Sequence, residues 1–232
     1  HWFLFFQGDR SWTEVGYYFP YEKTIANTDA YFLNGLAYIP FRLLGLDIFI
    51  SAELSNLVIK STGFLGAYLL CRRVFSIDVY WSLLSAILFT LSNGMTVHSS
   101  RIQLATVAFF PVMALLVWSM SSAFLAGNMA RFRVFGITAG VFYGAWCLTC
   151  FYMAWFFLFY TTVFAVVFCF SGGNYHAIKE RLLSNFGSVF VVFGAAVASL
   201  APFLYAFLPK SRETGVRLYE EALQWTVPLE GI

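Results

Sequence analysis

The stretch Glu53–Arg73 constrains the fold more than any other part of the chain. As a helix rising ~1.5 Å per residue it is long enough to cross the ~30 Å hydrocarbon core of a bilayer. At ~100° per residue, Glu53, Asn56, Lys60, Gly63 and Ala67 fall within a wedge of roughly 80°. Leu54, Ile59, Phe64, Leu65 and Leu69 occupy the other side. A charge near the bilayer centre costs several kcal/mol unless it meets protein or water. The Glu53/Asn56/Lys60 face is therefore expected to turn into a helix bundle, with the leucine side toward lipid. Arg72 and Arg73 end the segment abruptly, and paired arginines at a span end favour the cytoplasmic side.

The rest of the composition agrees. Of 232 residues, 60% are hydrophobic and 11% charged, against about a quarter charged in a soluble domain. The expected class is an all-α, polytopic integral membrane helix bundle in the cell (inner) membrane, with the lipid bilayer as its principal partner. Nothing points to nucleic acid, because the net charge is only +2. No phosphate-binding loop, dinucleotide fingerprint, G-x-S-x-G or H-E-x-x-H is present. Cys71, Cys147, Cys150 and Cys169 lie in or beside apolar runs, so the C-x-x-C at Cys147–Cys150 reads as packing. The chain opens on His1 and closes in a loop-like stretch, so an excerpt of a longer protein is expected.

Residues 1–50 mix aromatics with charges and read as an outer-face loop carrying interfacial helices, with 28–46 as an interfacial or re-entrant piece. The bundle is expected over 51–209, with about five spans, and a second outer-face loop begins at 210–232. Spans are placed at 51–71, 79–97, 104–122 (with Pro111 inside it) and 185–208. Residues 134–170 form either two short spans turning at Cys147–Phe151 or one span plus a re-entrant piece. Gly136, Gly140 and Gly144 repeat at intervals of four, a stripe that lets helix backbones approach closely. With two spans in 134–170, Arg72, Arg73, Arg131, Arg133, Lys179 and Arg181 share one side, and the intervening turns hold only Arg101. That is the positive-inside pattern. It puts 1–50, the His98 turn and 210–232 together outside, with nine of the twelve acids, Asp29 among them.

Candidate chemistry lies on that outer face. Asp9 follows the aromatic run Trp2–Phe6, and a carboxylate there suits either proton removal from an attacking hydroxyl or the holding of a divalent cation. Arg101 sits where two spans meet the surface, and its guanidinium fork matches a phosphate. His98 and Arg212 are weaker candidates for the same substrate, with Glu213 and Glu220 beside Arg212.

The segment Lys60-Ser-Thr-Gly-Phe-Leu-Gly-Ala-Tyr68-Leu-Leu-Cys-Arg72-Arg-Val-Phe75 resembles the corresponding helix of YfhO-like bacterial membrane proteins, which belong to the GT-C class of polytopic glycosyltransferases. Ser85–Ser92 and Phe110-Pro111 resemble that family's next two spans, Gly8-Asp9 the opening of its first outer loop, and Pro202–Tyr205 with Arg212 its approach to a later one. The resemblance implies sugar transfer from a polyprenyl-phosphate donor to an outer-face acceptor. Asp9 would be the essential acid and Arg101 the holder of the donor phosphate. The rival class is a transporter or flippase without covalent chemistry, in which Glu53 and Lys60 would line a pathway.

Overall fold

A computed structural model describes residues 1–16, 22–92, 102–171 and 175–214, and every described regular element is helical. Short α1 (Trp2–Phe6) and a 3-10 turn (Thr24–Asn27) precede α2 (Phe32–Leu43). Next come α3 (Ile48–Arg73), α4 (Val79–Thr90), α5 (Ile102–Ala105), α6 (Phe109–Leu125) and α7 (Met129–Cys147). They are followed by α8 (Phe151–Ser171), α9 (Tyr175–Ser184), α10 (Phe186–Ser199) and α11 (Ala201–Thr214). Side-chain caps fix several starts. Asp47 accepts from the Phe49 amide at 2.8 Å, Asp78 from Trp81 at 3.1 Å, and Asn128 from Arg131 at 3.0 Å, each satisfying an amide that has no partner inside its helix.

Three stretches are long and apolar enough to cross a membrane: Ile48–Arg73, Ile102–Leu125 and Phe151–Phe170. The pair Ile178–Ser184 and Phe186–Ser199 makes a fourth if it is taken as one span bent by 87°. The chain is thus a helical membrane protein. The segment 134–170 divides as two helices, turning at Leu148–Cys150. The 79–97 segment is helical only to Thr90 within the described residues, which at ~1.5 Å per residue is too short to cross. The 185–208 segment breaks at Leu200, between α10 and α11, because the Pro202 ring clashes with the preceding turn of a continuous helix. Pro111 lies inside the Ile102–Leu125 stretch as expected, in the first turn of α6 after a 3-10 turn at Thr106–Ala108. A missing N–H is harmless there.

Small residues set the packing. A Cβ at Gly140 would lie 2.9 Å from the Ala196 Cα and 3.0 Å from its Cβ, so α7 and α10 touch backbone to backbone. Gly136 meets Val192 and Gly144 meets Ser199 on the same seam, and the Ser199 hydroxyl donates to the Gly140 carbonyl at 2.7 Å. The expected glycine stripe is therefore the α7–α10 contact. On the other side α7 packs on α6, where Phe109, Met113, Trp146 and Phe157 share a core with Ile59 of α3. Helix α8 leaves Trp155, Phe156, Phe159, Tyr160 and Phe164 exposed.

The rotation of α3 differs from expectation. Its buried residues are Ser51, Ser55, Ile59, Gly63, Gly66 and Ala67. Glu53 is exposed, whereas Asn56 and Lys60 are half-buried. The inward face is turned roughly a quarter turn from the polar wedge, at ~100° per residue. The cause is close approach: Ser55 bonds the α2 backbone, and Gly66 meets Val112 and Pro111 of α6. Backbones can come that near only over small side chains, and the charges lie beside the seam.

The bundle has two distinct ends. At one, the described residues of the first 43 pack on the α7–α8 turn, on α5 and on α11. Tyr31 N–H donates to the Thr149 carbonyl at 3.1 Å, the Tyr31 hydroxyl donates to Gln103 at 3.0 Å, and Lys23 lies 4.3 Å over the Tyr205 ring. At the other, Arg181 of α9 donates to the carbonyls of Phe124 and Leu125, capping α6 beside Phe132. Arg72 is 16 residues beyond Asn56, about 24 Å along α3, and so lies toward that second end. Arg72 and Arg181 therefore lie away from the Tyr31 end of the bundle.

Candidate ligand-binding cavity

The N-terminal segment is a packed cap. Thr24 and Val15 exchange two hydrogen bonds, of 2.8 and 3.1 Å, and Ile25 N–H donates to the Thr13 carbonyl at 3.0 Å. The Trp2 indole donates to the Ala30 carbonyl at 2.5 Å and packs against Gly35, where any Cβ would collide with the Trp2 side chain. Tyr31 takes a left-handed conformation, φ 52°, at the N-cap of α2 and leaves that helix without a side-chain cap of its own. Thr149 supplies one from the α7–α8 turn: its carbonyl accepts from Tyr31, and its hydroxyl oxygen accepts from Leu33 N–H at 3.0 Å.

Between this cap and the bundle lies a cavity of about 570 Å³. Tyr31, Asn34 and Tyr38 line it from one face of α2, at helical spacings of three and four. Ser55 and Asn56 face them from α3, and His1, Arg10 and Asp29 add to the polar lining. Burial raises the Asp29 carboxyl above the usual carboxylate range, partly offset by a hydrogen bond from the Cys150 thiol. Asn34 is only 8% exposed, and among the described residues neither its amide oxygen nor its amide nitrogen has a hydrogen-bond partner. Its backbone carbonyl does, accepting from Ser55 Oγ at 3.1 Å.

The residues singled out in the sequence stand as follows. Asp9 is exposed just beyond α1, after Gly8 at φ 83°, and does not line the cavity. His98, Arg101 and Glu220 lie outside the described residues. Arg212 is exposed near the end of α11, where Lys210 and Glu213 pair at 2.6 Å. Of the polar wedge, only Asn56 reaches the cavity. Among the described residues no three of His, Cys, Asp and Glu converge as ligands for a metal ion.

Asp29, Tyr31, Asn34 and Tyr38 were not singled out as site residues. A signal existed, because Tyr31, Asn34 and Tyr38 recur at helical spacing directly after Asp29. It was masked by an apolar stretch that read as a membrane-surface piece. Compared with family models, with curated proteins and with solved structures, the chain matches none.

Proposed function

We propose that this protein is a multipass membrane glycosyltransferase of the GT-C-like kind, transferring a sugar from a polyprenyl-phosphate donor to an acceptor on the outer face. The cavity end of the bundle would face outward and the Arg181 end the cytoplasm, in an inner membrane. Counting α7 and the bent α9–α10 pair with the three long apolar stretches gives about five crossings, and α4 begins the return from the Arg72 end toward α5.

The observation that carries the reading is the Asp29 carboxyl, half-buried in a polar cavity and raised above its ordinary value. A carboxylate raised in this way is a better proton acceptor than an ordinary surface carboxylate. In the reaction, an acceptor oxygen would bond to the anomeric carbon while the bond from that carbon to the phosphate oxygen breaks. The phosphate would leave with the electron pair, and the acceptor's proton would pass to Asp29. Arg10, lining the same cavity, has the forked guanidinium that suits a departing phosphate. Asp29 thus takes the role that the resemblance assigns to Asp9.

In a transfer assay with the full-length protein in nanodiscs, Asp29→Asn should abolish turnover and Asp9→Asn should retain it. Full turnover by Asp29→Asn would remove the catalytic assignment. Sugar translocation without glycosyl transfer would favour the transporter class instead.

A further inference from the structure

We propose that the groove between α8 and α9 binds an anionic phospholipid of the adjoining leaflet, with one acyl chain laid along α8 and the headgroup phosphate at Lys179. The groove lies at the Arg181 end of the bundle and shares no residue with the Asp29 cavity, so the proposal stands independently of glycosyl transfer.

Two helix faces build the groove, whose volume is about 550 Å³. On α8, Thr161, Ala165 and Cys169 recur at intervals of four, with Thr162, Val166 and Phe170 beside them. Phe170 is the one large side chain of this set, so the strip is shallow on a helix that elsewhere exposes Trp155, Phe156, Phe159, Tyr160 and Phe164. The Thr162 hydroxyl donates back to the Leu158 carbonyl at 2.8 Å, which lets that residue sit on an apolar face. From α9 come Tyr175, Ile178, Lys179 and Leu182, at helical spacings of three and four. Helix α9 is fixed from behind: Ile178 packs on the cluster of Ala123, Phe124 and Phe132, and Arg181 donates to the Phe124 carbonyl at 2.9 Å. It meets α10 at 87° and so crosses the end of the bundle instead of extending it. The result is an apolar channel along a membrane helix, closed at one end by a short basic helix.

Length and charge select the occupant. Thr161 to Phe170 spans about 14 Å at ~1.5 Å per residue, close to half of the ~30 Å hydrocarbon core and hence to one leaflet. A helix of another chain, about 10 Å across, would need roughly 1,100 Å³ over that length, twice the volume available. A single acyl chain is slimmer and matches the apolar lining. Lys179 is the charged group in that lining. It is exposed, and among the described residues it makes no ion pair, whereas Arg181 is engaged with α6. A lysine at a span end attracts anionic headgroups, and the exposed Tyr175, stacked on Phe170 with centroids 6.2 Å apart, is a residue type favoured at headgroup level. Lys179 therefore meets the phosphate at the depth where the chain enters the groove.

The test follows lipid retention by native mass spectrometry of the full-length protein in detergent, with phosphatidylglycerol and phosphatidylcholine of matched chains added in turn. Wild type should retain phosphatidylglycerol the more tightly. Lys179→Gln should weaken that retention roughly fivefold, the effect of one basic residue on an anionic lipid, and leave phosphatidylcholine unchanged. Arg133→Gln removes an exposed charge of α7 that does not line the groove and should keep the wild-type preference. Ala165→Trp, at an exposed position midway along the groove, should exclude both lipids without lowering the melting temperature in lipid-free detergent. Equal retention of the two lipids by wild type, or equal losses in Lys179→Gln and Arg133→Gln, would overturn the inference and leave only general attraction to a charged surface. Undiminished retention by Ala165→Trp would place the lipid elsewhere, and a dimer of wild type that this variant abolishes, with no lipid retained by either, would give the groove to a second copy of the chain.

Discussion

The α7–α10 seam offers the most direct test of the fold. Gly140→Ala adds one methyl group at a point where its carbon would sit 2.9 Å from Ala196 Cα and 3.2 Å from Ala196 N. Both are backbone atoms, so no rotamer change relieves the clash, and the helices must separate. The separation would also stretch the 2.7 Å bond from Ser199 to the Gly140 carbonyl. Overpacking of this kind typically costs about 1–3 kcal/mol. Replacing glycine by alanine inside a helix returns up to ~1 kcal/mol of propensity, which hides part of the cost. Gly194 on α10 supplies the correction, because nothing lies within 4 Å of a Cβ there. Gly194→Ala should therefore show the propensity gain alone. The difference between the two variants isolates the contact at about 1–3 kcal/mol. At roughly 2–4 °C per kcal/mol for a chain of this size, Gly140→Ala should melt some 2–12 °C below Gly194→Ala in the same detergent. Equal melting temperatures would show that α7 and α10 do not meet along this stripe.

Three other outcomes are expected. Thr149→Val removes the acceptor for the Leu33 amide, and a buried donor left unpaired costs about 1–3 kcal/mol, so the variant should lose stability and expose the α2 amides to hydrogen exchange while α10 stays protected. Asp29 has a folded-state pKa above its unfolded value, so the stability it contributes is present at low pH and lost as pH rises through the raised value; Asp29→Asn should therefore melt higher than wild type at pH 8, with the gap closing toward pH 4. A membrane-impermeant thiol reagent applied from outside, on a background lacking the native cysteines, should label Ser11→Cys and miss Ser76→Cys; the opposite pattern would invert the proposed orientation.

What was legible in the sequence followed from constraints with a single solution. The Gly136/Gly140/Gly144 stripe has few uses in a membrane helix other than close approach, and it lies where a second helix touches α7. A 37-residue apolar stretch (134–170) cannot be one span, and Cys147–Phe151 was the only plausible turn in it; α7 and α8 meet there. The rotation of α3 was not legible, because two rules competed for the same helix. Burial of charge put Glu53 and Lys60 inward, while close packing put Ser51, Ser55, Ile59, Gly63 and Ala67 inward. The backbone contacts with α2 and α6 won. Nothing in the chain announces those contacts, since they depend on where distant helices cross.

Asp9 lies outside the cavity for a related reason. In sequence, the acid beside a motif is the natural choice; in three dimensions, what matters is which acid the cap encloses. Asp29 is enclosed because it immediately precedes α2, and α2 is held by Thr149, more than a hundred residues away. The α7–α8 turn therefore does more than reverse the chain. It sets the height and angle of α2, and with them the distance from the Asp29 and Asn34 side chains to Asn56 on α3. A polar cavity of this kind costs least at the end of the bundle, where water reaches it, since a vacant amide or a carboxylate at mid-depth would cost several kcal/mol. The placement of α2, and with it the proposed chemistry, then leans on one buried hydroxyl in the turn. Strengthening the α7–α10 seam would steady that turn, because α7 carries it, whereas changes on the exposed face of α8 should leave the cavity untouched.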